Sequence, residues 1–303
     1  MPVSTAMASL SDQLLTVAVL CYAIAMLAHA VEYAFGAQSA VGRAVRRDER
    51  ELVKVGSSGA GAVSEANGAG PVAVGGADSA DDADHDSDTE PSRPGISPRH
   101  AALAGKLGFG LTVLGAVAQA GCLVARGMAA NRVPWGNMYE FVIAVCLVGV
   151  AAWIAVAYRR PVRHLGLFVT LVVVLLLGFA AVRLYTDAGP LVPALNSYWL
   201  KIHVTTAILA TGLFMVGFVT AALYLIRDRY DTGSARRFLI TLGQQLPEAP
   251  TLERITFRLH ALAFPIWTFA VIAGAIWAEE AWTRYWGWDP KEVWAFISWV
   301  VYA

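Results

Sequence analysis

The chain has 303 residues, of which 57% are hydrophobic and 15% charged, and its formal net charge at pH 7 is zero. That balance removes the electrostatic case for a nucleic-acid partner. The apolar residues come in long blocks, which excludes an ordinary soluble domain and points to an all-α, polytopic membrane bundle, because open sheets leave backbone groups unsatisfied in lipid.

A span needs about 20 mostly apolar residues. Six blocks qualify, at roughly 14–35, 103–125, 138–158, 166–184, 202–226 and 259–278, and a seventh starts near Val293 and is expected to continue past Ala303. The first block lies too far into the chain for a simple signal peptide and has no basic residues before it, so it is expected to stay in the mature protein. Residues 1–36 thus read as an N-terminal transmembrane helix. Residues 37–100 read as a disordered cytoplasmic linker. It is rich in Gly, Ala and Ser, then acidic at Asp78, Asp81, Asp82, Asp84, Asp86, Asp88 and Glu90, and cannot bury enough apolar surface to fold. Residues 101–303 form the main membrane domain, with a tryptophan-rich segment at 279–293.

Arginines cluster after the first, third and fifth spans, at Arg43–Arg50, Arg159–Arg163 and Arg227–Arg237, whereas the alternate loops are poorer in them. By the positive-inside rule the N-terminus is expected outside. Asn131–Glu140, Thr186–Lys201 and the tryptophan segment then share the outer face. Cys21, Cys122 and Cys146 lie inside spans, and none belongs to a C-x-x-C pair, so they read as small apolar residues.

Taken in chain order, the first ionisable pair is His29 with Glu32, one turn apart within the first span. Such groups at membrane depth are costly and usually functional, although the two can also satisfy each other. Pro134-Trp135-Gly-Asn137-Met-Tyr-Glu140 runs from an outer loop into the third span. Glu140 and Asn137 either support a polar site or start the helix. His203, in Ser197-Tyr-Trp-Leu-Lys-Ile-His203-Val204, opens the fifth span, and an imidazole there can ligate haem iron or simply hydrogen-bond a helix end. His260 opens the sixth span and reads as an ordinary edge histidine.

The run Trp282-Thr-Arg-Tyr-Trp286-Gly-Trp288-Asp289-Pro-Lys-Glu292 is the most specific signal. Asp289, Pro290 and Glu292 suit the cap, first and third positions of a helix, with Trp288 and Val293 at the staple positions. Trp282 and Trp286 are expected on one face of a short surface helix, with Gly287 turning the chain between Trp286 and Trp288. Tryptophans gathered at an interface either form an aromatic belt or offer flat faces to a planar ligand.

Trp286-Gly-Trp-Asp-Pro-Lys-Glu292, preceded by Gly274-Ala-Ile-Trp-Ala278, resembles the "WWD" signature of haem-handling proteins. It is most similar to the CcsA/ResC type of system II cytochrome c maturation, called CcsB in some bacteria. Trp135-Gly-Asn-Met-Tyr-Glu140, Ser197–Val204 and Phe264-Pro265 add to the match, which covers roughly residues 101–303. The resemblance implies that haem b is held at the outer face and presented to C-x-x-C-H apocytochromes c. It also implies a ResB-type membrane partner and a thioredoxin-like thiol reductant. His203 falls where that family has an axial haem ligand. Trp282, Trp286, Trp288 and Asp289 fall in its platform, with His29, Trp135 and Glu140 as secondary candidates. The family's remaining histidines would lie beyond Ala303. The protein would then be a haem lyase component. Two alternatives stand beside that reading: a CcmC-like haem chaperone or exporter, and a transporter without ligation chemistry.

Overall fold

The structure, a computed structural model, describes residues 4–35, 98–160, 162–190, 196–233 and 242–303. Among the described residues there are helices and no strands. They are α1 (Thr5–Phe35), α2 (Pro98–Ala130), α3 (Met138–Arg159), α4 (Gly166–Phe179), α5 (Tyr198–Asp231), α6 (Ala249–Trp282) and α7 (Pro290–Tyr302). A 3-10 turn (Arg163–Leu165) precedes α4, and a π turn (Ala180–Leu184) extends it. Among the described residues six helices, α1 to α6 with α4 taken through its π turn to Leu184, are long and apolar enough to cross a membrane.

Most helices overrun the apolar blocks that announce them. Once a helix has formed in lipid, adding a polar residue at its end costs little, because nucleation has already been met. This overrun corrects one boundary. Pro98, Arg99 and His100, expected within the linker 37–100, begin α2, and proline is favoured at a first helical position. Linker residues 36–97 lie outside the described residues.

Two antiparallel pairs organise the bundle. In the first, α1 packs along α2: Tyr22 donates to Gln119 (2.6 Å), and the Gln119 amide donates to the Ile143 carbonyl of α3 (2.8 Å). In the second, α5 packs along α6. Helix α3 joins the pairs, with Gly149 and Gly212 in backbone contact where a Cβ on Gly212 would lie 3.0 Å from the Gly149 nitrogen. The core includes Trp153, Ile143, Val150 and Leu177, all fully buried.

Both ends of the first pair hold ionic groups. At one end Arg126, which sequence places in a loop, is a buried residue of α2. Its Nε donates to Glu140 (2.9 Å), another of its amino groups donates to the Thr186 carbonyl, and Arg132 adds a second ion pair to Glu140 (2.7 Å). A buried guanidinium is tolerated only with such a partner. Glu140 thus both starts α3, with Asn137 accepting from its backbone N–H (2.8 Å), and joins a polar network. At the other end Glu32 pairs with Arg163 (2.7 Å), while fully buried His29 lies 3.7 Å from Glu32 and 3.5 Å from the Thr112 hydroxyl.

Candidate functional site: a histidine within an aromatic cluster

His203 sits in the second turn of α5 and faces α6. Its Nδ1 lies 2.8 Å from the Ala270 carbonyl. A carbonyl only accepts, so Nδ1 carries the proton and Nε2 keeps its lone pair. That is the tautomer a metal-ligating histidine uses, held by a partner beyond the ligand bond. The approach depends on Gly274: a Cβ there would stand 2.7 Å from Nδ1 and 2.8 Å from Cε1. Ala270, Gly274 and Trp277 follow helical spacing along one face of α6. Trp277 lies nearly parallel to the imidazole (8° between planes, centroids 6.3 Å apart), and Trp282 meets Trp277 edge-on at 4.7 Å.

The register of α5 on α6 is fixed above His203 by a short hydrogen bond. Ser197 donates to Glu280 (2.5 Å) while accepting from the Trp199 N–H as the N-cap of α5 (3.1 Å). His203 and Trp282 therefore lie at the same end of the helix pair.

The tryptophan run differs from expectation in two ways. Trp282 is the last residue of α6, and Thr283 adopts a left-handed backbone (φ 58°), so Trp282 and Trp286 do not share a helical face. The other left-handed residue of the run is Trp288 (φ 56°), whereas Gly287 does not have a positive φ. A β-branched residue and a tryptophan in this region carry strain, which the surrounding contacts hold. Gly287 lies beside the Arg284 guanidinium, the far end of a flexible side chain, which a Cβ there would meet.

The start of α7 follows the expected capping box. Asp289 accepts from the N–H groups of Lys291 (2.8 Å) and Glu292 (3.0 Å), and Glu292 accepts from those of Asp289 (3.3 Å) and Gly287 (2.6 Å). Trp288 packs edge-on against Phe296 (6.0 Å) and against Trp286 (5.8 Å). Lower in α7, Trp299 donates to Thr268 of α6 (3.0 Å), and Tyr302 stacks on Phe214 of α5 (4.2 Å). Trp299 is only two and a half turns into α7, yet Thr268 lies nearly four turns below Trp282. The run thus drops back by more than one turn, ~7 Å at 1.5 Å per residue, towards the level of His203.

Residues 135–303 match the family described as cytochrome C assembly protein. The chain belongs to that family. Among curated relatives, the cytochrome c biogenesis protein CcsA of Gloeobacter violaceus is 31% identical over 254 residues, covering 68% of this chain and 75% of the relative. The protein of the same name from Guillardia theta is 32% identical over 212 residues (65% and 70%). That from Microcystis aeruginosa is 33% identical over 228 residues (61% and 70%). This family member is a multi-pass membrane protein of cytochrome c biogenesis.

Of the candidate residues, His203 and Trp282 are joined through Trp277, while Trp286 and Trp288 pack on each other and Asp289 caps α7. The secondary candidates stand apart. Glu140 is engaged with Arg126, Arg132, Gly136 and Asn137. His29 belongs to the Glu32 end of the bundle. Trp135 has a buried indole N–H without a partner among the described residues. The sequence resemblance includes Gly274 and Trp277 in its signature without an individual role for either, and it does not include Glu280. Their spacing along α6 carries a signal, which becomes readable only once the helix facing them is known.

Proposed function

We propose that this cytochrome c assembly protein binds haem b through His203 and the surrounding tryptophans, and presents it at the extracytoplasmic face to C-x-x-C-H apocytochromes c. The observation that carries the reading is the state of His203. The Ala270 carbonyl fixes its Nδ1 as donor, leaving Nε2 with a lone pair on an imidazole that lies parallel to the Trp277 indole. Two indole N–H groups of the cluster, those of Trp277 and Trp286, are buried with no partner among the described residues and stay available as donors, a state that Trp135, Trp153 and Trp267 share.

Haem supplies the iron that an imidazole ligates and the vinyl groups to which cysteine thiols add. The chain's own work is positional. His203 sets where the iron lies, Ala270 and Trp277 fix the plane of the imidazole, and Trp282, Trp286 and Trp288 exclude water from one face. Arginine placement supports an outside N-terminus with this cluster extracytoplasmic, and the reading puts the protein in the plasma membrane. In this reading the chain acts in system II with a ResB-type partner, and a thioredoxin-like reductant keeps the apocytochrome thiols reduced. Its WWD-type run is the platform.

The test is the absorption spectrum of haem bound to the purified full-length protein. His203→Ala is expected to change the iron coordination and lower haem occupancy. Equal occupancy and an unchanged spectrum in the variant would overturn the assignment.

A further inference from the structure

Of the two cations in the tryptophan run, Arg284 and Lys291, Arg284 is the one that lies over a ring of the cluster, and its polar partners leave it largely unspent. Asp289 and Glu292 are occupied by backbone N–H groups at the start of α7. Arg284 has only a 3.4 Å contact with the second Glu292 oxygen, and its side chain is 42% exposed. A guanidinium offers five N–H donors, and Arg284 makes no other hydrogen bond to the described residues. It is nevertheless placed with care. Its central carbon lies 5.6 Å above the Trp282 ring, and its tip occupies the space that a side chain at Gly287 would take. Trp282 packs on Trp277, and Trp277 on His203. A seated, exposed cation therefore stands on the same ring cluster as the imidazole.

Holding an exposed guanidinium over the Trp282 ring beside Gly287 contributes little to the fold, because a loose exposed ion pair is worth little. It does pre-orient a planar donor fork, which suits bidentate recognition of a carboxylate. From this geometry we infer that Arg284 is the anion subsite of the haem site and binds a propionate carboxylate of the tetrapyrrole. Glu292 is the partner it exchanges, and keeps its two backbone N–H bonds afterwards. The inference rests on the haem reading above and adds the group of the ligand that Arg284 recognises.

The experiment titrates the full-length protein with haem b and, separately, with haem dimethyl ester, which has the same ring and iron but no carboxylates. Wild type is expected to bind haem b about tenfold more tightly or better, the scale of a charge-assisted pair. Arg284→Gln is expected to bind both ligands with the affinity of the ester. Arg284→Lys should retain part of the preference, since it keeps the charge and loses the fork. Glu292→Gln preserves the capping box, removes the competing anion, and is expected to widen the preference for haem b. Wild type binding the two ligands equally, or Arg284→Gln keeping the wild-type ratio, overturns the assignment while leaving the His203-dependent spectrum intact. A spectrum indifferent to His203→Ala overturns the haem reading, and this inference with it.

Discussion

Gly274→Ala puts the smallest possible change into the contact that holds His203. The new Cβ would stand 2.7 Å from Nδ1, so the ring must retreat by about 0.7 Å to reach ordinary van der Waals distance. The 2.8 Å bond to the Ala270 carbonyl then stretches to the limit of a useful hydrogen bond. Leaving that donor poorly satisfied costs about 1–3 kcal/mol, while replacing glycine by alanine inside a helix returns about 1 kcal/mol. Overall stability is therefore expected to move little. Haem binding is not compensated in this way, because the imidazole loses the partner that fixes its tautomer and its parallel placement on Trp277. An affinity loss of about tenfold, ~1.4 kcal/mol, is expected, with a shifted absorption spectrum. Haem titration and thermal unfolding in the same detergent measure both quantities. Wild-type affinity and spectrum in Gly274→Ala would refute the claim that this contact sets the ligand.

Two further substitutions probe the scaffold. Glu140→Ala leaves the buried Arg126 guanidinium without its main counter-charge, a loss of about 3–5 kcal/mol. A sharp fall in thermal stability and folded yield is expected, and an unchanged melting temperature would show the network to be dispensable. Asp289→Ala removes the side chain that accepts from Lys291 and Glu292, at about 1 kcal/mol. Helix α7 buries none of its residues, so the effect should concentrate there as faster hydrogen exchange of its first-turn amides. Unaltered protection would count against the cap's importance.

Much of the architecture is local and was legible in the residues. Long apolar blocks require helices in lipid, and Asp289-Pro-Lys-Glu292 spells a helix start whose bonds are all made within four residues. The family signature also lies in a contiguous run. The sequence therefore determined that this is a helical membrane protein of cytochrome c biogenesis, which six blocks form helices long and apolar enough to cross a membrane, and which histidine and tryptophans to consider.

The rest depended on how helices rotate and slide against each other, which no local pattern encodes. Arg126 reads as a loop residue until α2 extends to Ala130 and α3 brings Glu140 beside it. Gly287 reads as a turn residue, but the left-handed positions of the run are Thr283 and Trp288, and the glycine lies beside the Arg284 guanidinium. Trp277 is one tryptophan among ten until the antiparallel register of α5 and α6 lays His203 against it. Contacts between residues far apart in the chain arise from packing side chains of matched volume, glycine against ring and carbonyl against imidazole. Only the tertiary structure decides which of them meet.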